Sequence, residues 1–168
     1  MNFYSLEFKE QNSEMFLEII GNYDEQKLRN GIINPDKLKT KISQGRIAYK
    51  VVRIQDPFNF LISKELKEEF EKENLTGWKT YEIETNQELK DYKGFQCIGK
   101  SGIPKKANKK GFVTGFHFDI ETWDRNDFFT PKSTLMIICT EKAKKIIEKL
   151  GIENITLEKI ESLRWYQV

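Results

Sequence analysis

Four carboxylates crowd into one short stretch of this chain: Asp119, Glu121, Asp124 and Asp127, with Trp123 among them and Phe128 and Phe129 following at once. Hard cations such as Ca²⁺ and Mg²⁺ want several oxygen ligands, and closely spaced acids can supply them. The calcium-loop pattern is missing, because Asp124 stands where its glycine belongs and Thr130 where its closing glutamate belongs. Asp119, Asp124 and Asp127 also invite a hydrolase reading, with two carboxyls as acid and base. The simpler chemistry is turn closure, since Asp side chains accept backbone N–H bonds in turns. No catalytic residue and no metal ligand set is therefore assigned.

The opposite charge gathers just before. Lys100, Lys105, Lys106, Lys109 and Lys110 lie between Gly99 and Gly115 with no acid among them. A nucleic-acid groove needs such charge together with aromatic faces, and Phe112 and Phe116 are near. A nucleic-acid or small-ligand module using the Lys105–Lys110 loop is thus the alternative reading. Against it stands the whole-chain balance of 28 Lys and Arg to 26 Asp and Glu, net +2, where dedicated nucleic-acid binders carry a basic excess. Gly99-Lys100-Ser101-Gly102 faintly resembles a phosphate loop, but Ile103-Pro104 follows where a helix must start. His117 is the one histidine; with Phe116 and Phe118 facing inward it faces out. Cys97 and Cys139 stand far apart in the chain, each beside apolar residues, as small core side chains rather than nucleophiles.

The elements that must hold these groups are short. Asn2–Phe8 alternates as a strand, and Met15–Ile20 reads as a short strand or helix. Asp24–Ser43 is polar and broken by Gly31 and Pro35, which predicts a loop with one or two helical turns. Gly45–Ile54 alternates as a second strand. Phe60-Leu61-Ile62 then runs into Ser63, a good N-cap, and a helix over Lys64–Lys72 with Leu66 and Phe70 on one face. Trp78–Glu84 follows as a strand. The plan recurs without a gap at one constant offset, the interval from Ser63 to Thr140. Its second copy is Ile137-Ile138-Cys139, the cap Thr140, a helix over Glu141–Leu150 with Ala143, Ile146 and Ile147 inward, a closing Gly151, and a strand over Asn154–Ile160. Between the copies, Gly94–Gly115 holds five of the ten glycines and predicts a hairpin with a mobile tip at Lys105–Lys110.

The 168 residues suit a single domain over 1–168, with 58–84 and 135–161 as two matching strand–helix–strand units, either duplicated or alike by coincidence. The fold class is α+β: a mixed or antiparallel sheet of short strands with a few short helices. The longest apolar run, Leu135–Cys139, is too short for a membrane span. The N-terminal residues lack the basic and apolar regions of a signal peptide. Together with two unpaired thiols this predicts a cytoplasmic protein.

One further pattern is the order of motifs. An apolar strand enters a Ser-capped helix at Phe60–Lys72; Thr76-Gly77-Trp78 opens an aromatic strand; Tyr92–Gly102 carries a Gly-x-x-Gly loop. Trp123-Asp124-Arg125-Asn126-Asp127-Phe128-Phe129 comes next, then Leu135–Leu157. This order resembles bacterial immunity proteins of polymorphic toxin systems, the double-CxxCG motif family and its DUF1629-type relatives, over roughly residues 45–161. Members with paired cysteines can hold zinc. Here Cys97-Ile98-Gly99-Lys100 lacks the second thiol, so no zinc site carries over. The resemblance implies an inhibitor that binds and neutralises a cognate toxin domain, with no catalysis and no cofactor. Trp123, Asp124, Asp127 and Phe128 are its expected partner-binding residues, in a segment whose first task is holding a turn.

Overall fold

The computed structural model describes residues 1–56, 58–85, 87–106 and 110–167. Among them fourteen strands and three short helices form an α+β fold with parallel and antiparallel pairings, the class the sequence predicts. The strands fall into two runs of seven. The N-terminal half holds β1 (Phe3–Phe8), β2 (Phe16–Ile19), α1 (Glu25–Arg29), β3 (Leu38–Gln44), β4 (Val51–Ile54), β5 (Phe60–Ile62), α2 (Lys64–Lys72), β6 (Trp78–Tyr81) and β7 (Ile83–Glu84). The C-terminal half holds β8 (Lys93–Cys97), β9 (Gly99–Ser101), β10 (Gly111–Thr114), β11 (Phe128–Pro131), β12 (Ile138–Thr140), α3 (Glu141–Lys149), β13 (Ile155–Lys159) and β14 (Arg164–Gln167).

The two halves trace one plan and exchange their first strands. In the N-terminal half β2 runs parallel to β4, and β4 antiparallel to β5. In the C-terminal half β9 runs parallel to β11, and β11 antiparallel to β12. The register repeats as well: Val51 opposite Ile62 becomes Phe128 opposite Cys139, both displaced by the interval that separates Ser63 from Thr140. β8 fills the gap between β5 and β6, although it belongs to the second run. β1 fills the gap between β12 and β13, although it belongs to the first. Gly94 pairs with Leu61 and Tyr81. Ser5 pairs with Ile138 and Glu158, which are those same two positions carried forward by the common interval. Neither half can therefore complete its sheet from its own strands.

Helices α2 and α3 form for the same local reasons. The Ser63 hydroxyl accepts from Leu66 N–H at 3.3 Å and the Thr140 hydroxyl from Ala143 N–H at 3.4 Å, each satisfying one orphan donor. Glu65 and Glu141 lie in the first turns, Lys72 and Lys149 in the last, as the helix dipole favours. Asn74 (φ +51°) and Gly151 (φ +58°) end them in the left-handed region. Leu66 and Phe70 meet Ala143, Ile146 and Ile147 in one central cluster, which also takes Val51, Ile62, Phe128 and Cys139. Full burial of a Leu or Phe side chain contributes about 1.5–3 kcal/mol, so this shared cluster holds the halves together. The opposite sheet faces build two outer clusters. Val52, Leu61 and Ile83 lie in one, and their counterparts Phe129, Ile138 and Ile160 in the other.

Several sequence expectations are corrected. Leu38–Gln44 is a strand, not part of a loop; its polar residues suit its position between β2 and β7. The second strand begins only at Val51. Trp78–Glu84 breaks at Glu82, so β6 and β7 pair at opposite ends of one seven-stranded order. A single residue separates them, which brings the two ends of that sheet together. Gly94–Gly115 is no hairpin, because β8, β9 and β10 enter three different sheets. The centre of the expected mobile tip, residues 107–109, lies outside the described residues.

Candidate functional site

The Trp123–Phe129 segment is a knot between the halves. Asp127 is buried, and both its oxygens are used: Oδ2 accepts from Thr76 N–H at 3.0 Å and Thr76 Oγ1 at 3.2 Å, Oδ1 from Thr140 Oγ1 at 2.8 Å. One carboxylate thus ties the residues after α2 to the cap of α3. Asp124 accepts from Lys100 N–H at 2.6 Å and Asn126 N–H at 3.1 Å, and Asp119 accepts from Glu121 N–H at 3.2 Å. Glycines make room for the turn. A Cβ on Gly77 or on Gly99 would lie 2.0 Å from the Phe128 carbonyl oxygen.

Phe128 points into the central cluster and Phe129 into the C-terminal outer one, as alternation along a strand requires. Trp123 is buried edge-on against Phe3, with ring centroids 5.1 Å apart, and donates its indole N–H to Asn126 O at 3.0 Å. Of the four residues singled out from the sequence, Trp123, Asp127 and Phe128 are buried and Asp124 is exposed. The surface of this segment consists of Asp124, Arg125 and Asn126, with the Arg125 guanidinium 5.3 Å above the Trp123 ring.

Other candidate chemistry resolves in the same way. Gly99–Ser101 is a strand, and Gly102 N–H donates to Thr122 Oγ1 at 2.8 Å, so the lysine-serine pair forms no phosphate loop. Ser101, Lys100, Thr130 and Lys132 instead border a pocket of about 360 Å³. Burial pushes the Cys97 thiol up to about 11 and the Cys139 thiol up to about 12, far from thiolate reactivity at neutral pH. His117 is exposed between buried Phe116 and Phe118, joined by a lone bridge rather than a full strand. Among the described residues no three His, Cys, Asp or Glu side chains converge as a metal site, and no helix is long and apolar enough to cross a membrane.

The surface that sequence reasoning missed is the β10–β14 ribbon. Phe112 pairs directly with Tyr166, and Thr114 with Arg164. Val113 and Trp165, also paired, alternate to the other face; Trp165 packs against the outer cluster and donates to Gly115 O at 2.9 Å. Phe112 and Tyr166 are left 68% and 61% exposed. Their rings meet edge to face at 5.3 Å, and the Arg164 guanidinium sits 4.9 Å above Phe112. The period-two alternation of Gly111–Thr114 and Arg164–Gln167 carries the signal, but only their pairing makes it a patch.

No protein-family model matches the chain, and no curated protein matches it at significant similarity.

Proposed function

We propose that this protein is a non-catalytic inhibitor of the immunity type, which binds a cognate toxin domain in the cytoplasm. The observation that carries the reading is the ribbon. Two large aromatic side chains and an arginine, held together on a paired two-stranded backbone, have the composition of binding hot spots. Lys110 adjoins them in the chain, so the patch is cationic and suits an acidic face on the partner, where complementary charge speeds encounter. The motif order of the chain supports the same class. The carboxylates of Asp119, Asp124 and Asp127 hold turns, which supports a scaffold rather than an acid–base pair.

The test is co-expression with any toxin-type domain found encoded beside this gene. Growth should be protected by the wild-type chain. Phe112→Ala, Tyr166→Ala and Arg164→Ala should each weaken the complex about 30-fold or more while leaving the melting temperature unchanged. Full protection by all three variants would remove the ribbon from the interface. A second reading rests on the same exposed rings, which are able to stack bases beside Lys110 and Arg164. A salt-sensitive gel shift of a labelled oligonucleotide, lost in Phe112→Ala, would replace the inhibitor reading with that one.

A further inference from the structure

The pocket of about 360 Å³ shares no residue with the ribbon. Part of its wall is the chain at the end of α1, with Asn30 and Ile32; the rest comes mainly from β9, β11 and the turn after β11. The first half thus meets the second here, beside the last strand of the five-stranded order. The wall is mainly apolar, and Ile32 in it is 66% exposed. Lys100 and Lys132 are its charged residues, and among the described residues no carboxylate belongs to it.

The backbone sets the two lysines on one rim. The parallel register places Lys100 beside Thr130. Lys132 follows two residues on, and its N–H donates to Ser101 O at 3.2 Å and Gly102 O at 3.3 Å. A strand spacing of about 4.8 Å and a rise of about 3.3 Å per residue put the lysine Cα atoms about 8 Å apart. Two flexible side chains can close that span on one anion. Both lysines are exposed, and among the described residues neither Nζ has an ion-pair or hydrogen-bond partner. Asp124 accepts from the N–H groups of Lys100 and Asn126 and stays outside the wall.

A third cation acts without touching the pocket. Arg29 adjoins Asn30 in the chain and is 3% exposed, with Nε and Nη2 sealed and unpartnered. It is not part of this wall, so it offers no hydrogen bond there. Its charge is permanent, and charge acts over distance where the intervening medium is protein. Cys97 lies in the wall. Burial pushes its thiol up to about 11, while the Arg29 charge works against that rise and the Asp124 charge with it. Asp56 offsets part of the Arg29 charge, but among the described residues no carboxylate is in ion-pair contact with it.

The field therefore favours an anion. Lysine ammonium groups are point charges with freely turning donors, which suit the tetrahedral oxygens of a phosphate; the planar carboxylate is the partner an arginine fork selects. Two lysines match the nearly two charges of a phosphate monoester at neutral pH. A bare phosphate would leave the apolar wall uncovered, and an organic body covers it. The volume lies at the small end of the ~300–1,000 Å³ usual for ligand sites. We propose that this pocket binds a small phosphate monoester with an apolar body, its head held by Lys100 and Lys132. The site is separate from the ribbon and stands whether or not the inhibitor reading does.

The test is a titration of the full chain with phenyl phosphate, followed by amide NMR, with phenol, benzenesulfonate and inorganic phosphate as controls. Phenyl phosphate should give saturable shifts at Ile32, Lys100 and Ser133. Phenol lacks the charge, benzenesulfonate the second charge and inorganic phosphate the body, so each should bind about tenfold more weakly or worse. Lys100→Gln and Lys132→Gln should each weaken phenyl phosphate about fivefold. Neither should move the melting temperature, because both side chains are exposed and unpaired. Absence of saturable shifts at the pocket, shifts confined to Phe112 and Arg164, any control binding as tightly as phenyl phosphate, or full affinity in both lysine variants would each overturn the proposal.

Discussion

The N-terminal and C-terminal halves share their strand order, their register and a capped helix, yet they complete their sheets differently. In the first half β3 stays paired to β2, so β7 docks onto a continuous seven-stranded order. In the second half β10 pairs with β14 and, among the described residues, with no strand of the main sheet, so this ribbon stands apart. The stretch after β2 contains α1 and with it Arg29; the stretch after β9 contains the lysines, Phe112 and the Asp119–Asp127 turns instead. At the position of Arg53 in the first half the second has Thr130, on the wall of the pocket beside β9. Where the halves agree, their residues build core. Where they differ, some side chains are left exposed, Phe112 and Tyr166 of the ribbon among them.

The largest effect expected from breaking this comparison lies at Arg53. Unlike Arg29, whose Nε and Nη2 are buried without a hydrogen-bond partner, it has partners on both Nε and Nη2. Glu14 takes its Nε at 3.0 Å and its Nη2 at 2.7 Å, and Asn154 of the other half donates to Glu14 at 2.7 Å. Phe16 lies under the guanidinium at 4.4 Å and Phe8 at 5.5 Å. Glu14→Ala should cost about 3–5 kcal/mol in a denaturant titration, because it strands a buried charge. pH gives an independent check. Burial works to raise the Glu14 carboxyl, but the bonds from Arg53 and Asn154 and the guanidinium charge outweigh it and hold it below its ordinary value. A depressed carboxyl stabilises the fold above the unfolded-state pKa, and that contribution is lost as pH falls through the folded value. The acid limb of stability should therefore flatten in Glu14→Gln. An unchanged acid limb would mean the pair contributes nothing in solution.

Asp127 is the intermediate case, a buried carboxylate held mainly by hydrogen bonds, with Lys142 Nζ 3.7 Å away. Asp127→Ala should cost about 1.5–3 kcal/mol, the usual range for hydrogen bonds to a charged group. Its cost should appear in the same cooperative transition as that of Glu14→Ala, because Thr76 and Thr140 lie at the ends of both helices. A separate early transition would show that the halves unfold independently despite their exchanged strands.

Much of the shared plan was legible in the sequence, and little of what distinguishes the halves. Ser63 and Thr140 announce helices because capping is local chemistry, and Leu66, Phe70, Ile146 and Ile147 repeat at helical spacing. The constant offset between the two copies is visible for the same reason. The strand exchange is not, because β1 and β8 choose partners far along the chain and neither alternation nor spacing names a partner. The Trp123–Phe129 segment was legible as special from its density of aromatics and acids. Its place as a tie between Thr76 and Thr140 needed coordinates. Arg29 was invisible: Asp24–Ser43 reads as polar surface, and nothing local distinguishes a buried arginine from a solvated one.

The smallest expected effect tests whether burial, rather than charge pairing itself, separates Arg53 from the rest. Glu69 on α2 receives Lys149 of α3 at 2.8 Å and Lys72 of its own helix at 3.1 Å, so it too joins the halves through ions. Its carboxyl is held below its ordinary value by hydrogen bonds from Lys149 and Lys72. Both lysines extend into solvent, where water screens the attraction and holding two long side chains in one geometry costs entropy. Glu69→Ala should therefore destabilise less than either variant above, and molar salt should erase the difference from wild type. The loss in Glu14→Ala should largely survive the same salt, since the Glu14 side chain is only 2% exposed and the Arg53 side chain 15%. Should salt abolish both losses alike, the Arg53 pair is open to solvent and its contrast with Arg29 is one of partners alone. Should salt abolish neither, the α2–α3 contact is drier than its exposed lysines indicate, and the seam between the halves draws on ion pairing as well as on the central cluster.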